Sequence, residues 1–200
     1  MLFDHIAIAA TDLATGIAWV EDRLGLPLQT GGQHVHFGTH NALMSLGEGE
    51  YLEVIAIDPA APMLPYPRWF DLDRFRGAPR ISNWILRSDD LEGALDQVGP
   101  GAGQPVALAR GDYRWRMAVP ASGILPFDNI HPALMSWDGP HPTSALPDPG
   151  ARLSRLEVSH PEADRLQATL PFADERVRFV TGPAGLRATI QTPVGPRDLG

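Results

Sequence analysis

His5 and Glu53 are the two residues whose types and placement could do chemistry together. In Phe3-Asp4-His5-Ile6-Ala7-Ile8 the alternation predicts a strand with Phe3, His5 and Ala7 on one face. Tyr51-Leu52-Glu53-Val54-Ile55 predicts another, with Tyr51, Glu53 and Ile55 together. An imidazole and a carboxylate converging on a concave sheet make two thirds of a metal site. The plainer alternatives are a core histidine bonded to Asp4 or backbone, and a glutamate solvated on a wet inner surface. An inward carboxylate at a strand centre otherwise needs a partner to offset its desolvation.

The elements that must position this pair follow from the pattern around it. Thr11-Asp12 can cap a helix whose apolar positions Leu13, Ile17, Val20 and Leu24 share a face, and Gly25 ends it. Strands are expected at Gln33 to Phe37, Asn41 to Leu46 and Tyr51 to Ile57, with a hairpin connection at Gly47-Glu48-Gly49-Glu50. Residues 1–58 therefore read as a βαβββ module. Residues 59–79 are proline-rich, and Arg68-Trp69-Phe70 suggests a loop pinned by aromatic anchors across a mouth of the cup.

The pattern restarts over residues 80–150. Ile81 to Arg87 reads as a strand, Ser88-Asp89-Asp90 repeats the capping chemistry, and Leu91, Ala94, Leu95 and Val98 give a short helix. Setting Leu91 on Leu13 without a gap puts Asn83 on His5. Further strands are expected at Pro105 to Ala109, Tyr113 to Val119 and Ala133 to Trp137. A third, partial β-α-β-β unit is expected over residues 151–200, with one globular unit in total. The fold class is α+β, a mixed sheet from repeated modules, cupped like a barrel with helices outside.

The chain has 16 Lys and Arg against 24 Asp and Glu, a net charge of −8, which argues against nucleic acid and anionic membrane as partners. Zero cysteines exclude thiolate metal sites, disulfides and cysteine nucleophiles, so any metal must be held by His and carboxylate. With no leader pattern and no long apolar run, the reading is a cytoplasmic protein. No phosphate-binding glycine loop, Gly-x-Ser-x-Gly elbow or dinucleotide fingerprint occurs.

Leu2-Phe3-Asp4-His5-Ile6-Ala7-Ile8 with Thr11-Asp12-Leu13, Gly38-Thr39-His40-Asn41-Ala42-Leu43, Tyr51-Leu52-Glu53-Val54-Ile55 and Arg68-Trp69-Phe70 carry a family resemblance. The chain resembles the glyoxalase-like domain family within the vicinal oxygen chelate superfamily, to which glyoxalase I, ring-cleaving dioxygenases and bleomycin-resistance proteins belong. The resemblance implies paired modules curled into a cup, and a divalent metal inside that binds two oxygens of a small substrate. Zn, Mn, Fe and Ni are not distinguished. It places His5 and Glu53 at first-module ligand positions, and it finds Asn83 where a second-module His is expected. His40 is the candidate third ligand, with His131 behind it, while His34 and His36 share a strand face and rank lower. Asn41, Asn83, Trp69 and Arg116 are candidates for the substrate, Arg116 through a bidentate contact to an anion.

Two functions stay open at this point. One is a metal-dependent lyase, isomerase or dioxygenase with Glu53 as a catalytic carboxylate. The other is a metal-free protein that binds or sequesters a small molecule. The third unit leaves a homodimer open, because it could complete this chain's own barrel or pair with another protomer.

Overall fold

The computed structural model describes residues 1–200. Its first module runs β1 (Leu2–Ala9), α1 (Leu13–Leu24), β2 (Gln29–His34), β3 (Thr39–Ser45) and β4 (Tyr51–Ile57). The second runs β5 (Arg80–Arg87), α2 (Leu91–Val98), β6 (Gln104–Arg110), β7 (Tyr113–Val119) and β8 (Ala133–Trp137). A 3-10 turn at Trp69–Arg74 lies in the connection between them.

Both helices start from the same chemistry. Asp12 accepts from the Thr15 backbone N–H and Asp90 from that of Gly93, each supplying an acceptor to a donor the helix leaves unpaired. Gly25, in the left-handed region at φ 66°, ends α1 where a β-carbon would be strained. Asp12, Leu13 and Thr15 correspond to Asp90, Leu91 and Gly93 at a constant offset of 78 residues.

The two modules form one eight-stranded sheet in the order β2-β3-β4-β1-β5-β8-β7-β6. β1 and β5 are antiparallel at its centre, each beside a parallel partner, β4 and β8 respectively. Ile6 faces Trp84, while His5 faces Ile85 and Ala7 faces Asn83, so a pseudo-two-fold axis passes between Ile6 and Trp84. That axis exchanges His5 with Asn83 and Ala7 with Ile85.

Each central strand carries a bulge at the matching place. Pairing jumps from Phe3 to His5 across Asp4, and from Ile81 to Asn83 across Ser82. The extra residue resets the alternation, which corrects one expectation: Phe3 packs with Ile6 and Ile8 on the helix side, not with Ala7 in the cup. A second difference is at β2, which occupies Gln29–His34, so that His36 falls in the turn that follows.

The helix side of the sheet buries Ile6, Ile8, Leu52, Val54, Trp84 and Leu86 under α1 and α2. Removing each such side chain from water contributes about 1.5–3 kcal/mol. Residues beyond 150 complete this layer as β9 (Arg152–His160), α3 (Ala163–Ala168), β10 (Val177–Thr181), β11 (Gly185–Thr192) and β12 (Gly195–Leu199). They form a second sheet, β10-β9-β11-β12, whose Leu156, Val158 and Ile190 join the same core. β12 extends this unit beyond the expected β-α-β-β, and its β9–β10 parallel pair differs from the first two modules, where β1 and β5 pair with the last strand of their unit.

The other side of the large sheet is concave and buries Ala7, Ala9, Ile55, Ile85, Trp115, Met117 and Met135 with Trp69 and Phe70. Its two ends approach each other: Arg110, on the edge strand β6, reaches over Gly32 of β2 to Asn41 on β3. No helix is long and apolar enough to cross a membrane.

Candidate active site in the cup

The bulge at Asp4 turns two consecutive polar side chains toward the first half of the cup. Asp4, completely buried, accepts from His5 Nδ1 at 2.6 Å through one oxygen. Its other oxygen meets Trp137 Nε1 at 3.0 Å, His141 Nε2 at 3.2 Å and Arg87 at 3.3 Å. Burial alone would raise the Asp4 carboxyl pKa, but the hydrogen bonds from His141 and His5 and their charges outweigh it, and the net shift is strongly downward.

His5 is thereby fixed with Nε2 toward the cavity. Tyr51 stacks on the imidazole with centroids 4.2 Å apart, and burial holds the phenol neutral by pushing its pKa well up. Glu53 Oε2 lies 3.6 Å from His5 Nε2, an ion-pair distance beyond a normal hydrogen bond. Burial by itself would lower the pKa of His5, but the bonds and charges of Asp4 and Glu53 win and raise it. Both shifts favour the charged forms, imidazolium and carboxylate. Burial would likewise raise Glu53, yet contact with His5, the His34 charge and the Asn41 hydrogen bond bring it down to about 2.

Asn41 positions that carboxylate. Its Nδ2 donates to Glu53 Oε1 at 2.6 Å and approaches His34 Nε2 at 3.4 Å. Its Oδ1 accepts from the Gly32 backbone N–H at 2.8 Å and from Arg110 at 2.9 Å. Gly31 is what lets β2 come this close, because a β-carbon there would overlap the Asn41 amide. His34, whose pKa burial depresses to about 4, is neutral, and its Nδ1 sits 3.0 Å from the Thr39 hydroxyl.

Above this polar floor stand aromatic walls. Trp69 and Trp115 meet the His34 ring edge-on at 5.1 and 5.9 Å between centroids, and Trp69 stacks on Phe37 and Phe70. The enclosed space is about 20 Å³, lined by His5, His34, Glu53 and Arg110 below and Trp69, Phe70, Trp115 and Trp137 above. That is room for about one water molecule. The Trp69 indole Nε1 is buried with no hydrogen-bond partner.

Among the residues singled out in the sequence, His5, Glu53, Asn41 and Trp69 meet at this cavity. Asn41, expected at the substrate, has its amide taken by protein groups. His40, expected as a ligand, alternates with Asn41 along β3 and so takes the opposite face of the sheet. Arg116 is on the outer face of β7, paired with Glu92 of α2. Asn83 is fully buried and donates weakly, at 3.4 Å, to the Asn129 carbonyl, away from His5, and its Oδ1 has no partner. His131 is held by the Pro132 carbonyl at 2.8 Å. His34, which ranks low among the candidate ligands, is part of the site, and Tyr51, Arg110, Trp115, Trp137 and His141 complete it. Tyr51 is legible from its shared strand face with Glu53.

The donor set does not fit the divalent metal the family resemblance implies. In the first half Ala7 faces Glu53 across β1 and β4, while in the second its counterpart Ile85 faces Ala133 across β5 and β8. The positions matching His5 and Glu53 thus hold Asn83 and Ala133, one weak donor and none. No group of three His, Asp or Glu side chains is placed so as to hold a metal ion.

A solved structure that covers most of both chains agrees with the architecture. A hypothetical protein from Staphylococcus aureus superimposes with a TM-score of 0.62 at 14% identity, covering 92% of this chain and 87% of that one. Methylmalonyl-CoA epimerase from Mycobacterium tuberculosis gives 0.44 at 23% identity, over 72% and 90% of the two chains. The epimerase of Streptomyces coelicolor gives 0.46 at 14%, over 70% and 99%. No curated protein sequence matches. The family model of the glyoxalase-like domain, by contrast, matches residues 3–173, spanning both modules, the cup and the start of the third unit. With the paired βαβββ modules curled about a common cup, that match makes the chain a member of the glyoxalase-like domain family of the vicinal oxygen chelate superfamily.

Proposed function

We propose that the cup takes a small carbonyl compound and moves a proton on it with its own side chains. The observation that carries this reading is the buried Asp4–His5–Glu53 row, in which the His5 Nε2 proton has no partner nearer than 3.5 Å. A substrate carbonyl oxygen entering that gap accepts from Nε2–H. Glu53 then removes a proton from the adjacent carbon, the electron pair moves onto the oxygen, and the imidazolium stabilises the enolate. Return of the proton to either face of that carbon gives an epimerase, and return to a neighbouring atom gives an isomerase. Asp4 keeps the imidazole charged and oriented, Asn41 aims Glu53, and the unpaired Trp69 indole N–H is a donor for a second substrate oxygen.

A substrate that takes the His5 proton contact removes the first-named cause that lowers the Glu53 pKa and leaves burial, which raises it, so the carboxylate becomes a stronger base. A second reading, binding without turnover, is favoured by the same value of about 2, which describes a weak base if substrate leaves the His5–Glu53 contact intact. The experiment is exchange of substrate carbon-bound protons in D2O, followed by NMR over small 2-oxo and 1,3-dicarbonyl compounds, using chelator-stripped protein. Exchange that Glu53→Gln abolishes supports proton transfer. A tryptophan-fluorescence response without exchange supports the binder. Exchange appearing only when zinc or manganese is restored would overturn the metal-independent chemistry.

A further inference from the structure

A groove of about 620 Å³ lies between the Trp69–Arg74 turn, the loop at Asp128–Ile130 and the β9 and β11 strands of the third unit. It is some thirty times the size of the cup cavity, and one side chain lines both: Phe70. The backbone at Phe70 and Asp71 is left-handed, with φ of 60° and 56°, a conformation bulky residues rarely adopt. The loop facing them is left-handed over Phe127, Asp128 and Asn129, and the Asn129 amide reaches the Phe70 carbonyl at only 3.4 Å. Beside that long bond the segment is tied by the Asp71 N–H to the Gly123 carbonyl at 3.0 Å, so the strained backbone carrying Phe70 turns about few anchors, as a movable partition does.

The charges of the groove are unequal in their freedom. Arg74 is paired with Asp71, Glu157 with Arg155, and Asp128 with His160. Arg80 bonds only backbone carbonyls and lies over the Phe75 ring, and Arg187 forms no ion pair although it faces Glu157 across β9 and β11. The two cations left over are Arg80 and Arg187, which favour a negative group in a groove whose Asp71 and Glu157 carboxylates are already paired with arginine.

We propose that groove and cup are two halves of one ligand path joined at Phe70, and that the ligand is an elongated organic anion. Its flat head passes Phe70 into the cup, and its anionic tail stays on Arg80 and Arg187. This rests on the cup being a ligand site, as above, but not on any proton transfer within it.

The chain has no cysteine, so one introduced thiol reports access without background. Met135 lines the cup and is fully buried, and Met117 offers a second position on the same wall should Met135→Cys fold poorly. The rate of thiol modification is measured with 2-sulfonatoethyl and 2-(trimethylammonium)ethyl methanethiosulfonate at low salt. The thiolate forms a disulfide and expels methanesulfinate in both. The expected result is that the anionic reagent reacts several-fold faster, that adding Phe70→Ala raises both rates tenfold or more, and that Arg80→Gln with Arg187→Gln abolishes the charge preference. At constant ionic strength, slowing by inorganic phosphate or by acetate identifies which kind of tail the groove holds. Rates indifferent to Phe70→Ala overturn the path, and absence of charge preference, or slowing by neither anion, overturns the anionic tail. A gate that behaves as expected beside a panel without proton exchange retains this path and removes the proton-transfer reading, and the opposite pattern does the reverse.

Discussion

Residues 2–57 and 80–137 repeat the same caps, the same bulge and the same parallel and antiparallel neighbours. Yet where the first half carries Asp4, His5 and Glu53, the second carries Ser82, Asn83 and Ala133 at the matching positions. Backbone symmetry is maintained by groups outside the concavity: a cap, an apolar helix face, a strand pair. Nothing in those contacts depends on what points into the concavity, so the chemistry of one half can be lost without loss of the scaffold. What the second half contributes instead is wall, in Trp115, Met117 and Met135. A site built this way can carry an asymmetric ligand, polar against the first half and flat against the second.

The two halves become equivalent if the missing groups are put back. Asn83→His with Ala133→Glu restores the second-half donors, and burying the new carboxylate without a partner should cost about 3–5 kcal/mol in metal-free protein. Zinc or manganese should return most of that stability in thermal melts and bind stoichiometrically by calorimetry. A double variant indifferent to both ions means that the pseudo-two-fold pairing does not bring these positions to one point.

Replacing the bulge residues tests the same contrast within the native chemistry. Asp4→Ala removes the acceptor of His5, Trp137, His141 and Arg87 together and should cost about 4 kcal/mol, because it strands buried charge. Ser82→Ala, the symmetry mate, loses one hydroxyl bond to the Ala7 carbonyl at 3.3 Å and should cost about 1 kcal/mol or less. Equal losses in urea titrations would mean that Asp4 is a packing residue and not the organiser of the site.

Much of this architecture was legible because its signals are local. The offset that sets Leu91 on Leu13 follows from Asp12 and Asp90 with the helices they start, and it already placed Asn83 on His5. The bulge was not legible. Alternation along Phe3-Asp4-His5 assigns faces by parity, and one unpaired residue inverts that parity without altering composition, so parity alone puts Phe3 in the cup. His34 was ranked low as one of a histidine cluster near a turn, and its role depends on Gly31 admitting Asn41, a contact between strands that periodicity does not encode. His141 caps a turn, as its proline neighbour suggests, and also reaches Asp4 from far along the chain.

Buried histidines make the stability of both halves depend on pH. His34 titrates near 6.5 when unfolded but at about 4 when folded, so between those values the unfolded chain takes up a proton that the folded one refuses. Stability must fall as pH drops through that window, by up to about 3 kcal/mol. His131, in the second half, is shifted the same way by burial and adds to the slope. His5 acts oppositely: its raised pKa gives stability that is complete below 6.5 and is lost as pH rises through the folded value. Glu53 adds an acid limb, lost as pH falls from 4.5 through about 2. His34→Gln should flatten the middle window and leave the Glu53 limb, as followed by denaturant midpoints at each pH. An unchanged slope would assign it to His131 alone.

The smallest effect is expected where the halves are most alike. Asp12 accepts from the Thr15 backbone N–H at 2.8 Å and from its hydroxyl at 2.7 Å, whereas Asp90 accepts only from the Gly93 N–H, at 2.9 Å. Asp12→Ala and Asp90→Ala each remove one helix-start acceptor on an exposed surface, so both should lower the melting temperature by a few degrees, Asp12→Ala slightly more. Neither cap reaches the cup, so ligand fluorescence titrations should be unchanged in both variants. If Asp90→Ala instead weakens ligand binding while Asp12→Ala does not, then α2 supports the Trp115 wall more directly than the shared scaffold implies. Arg116, which β7 sends to Glu92 on α2, would be the connection to examine, because it is the one ion pair joining that helix to the strand that carries Trp115.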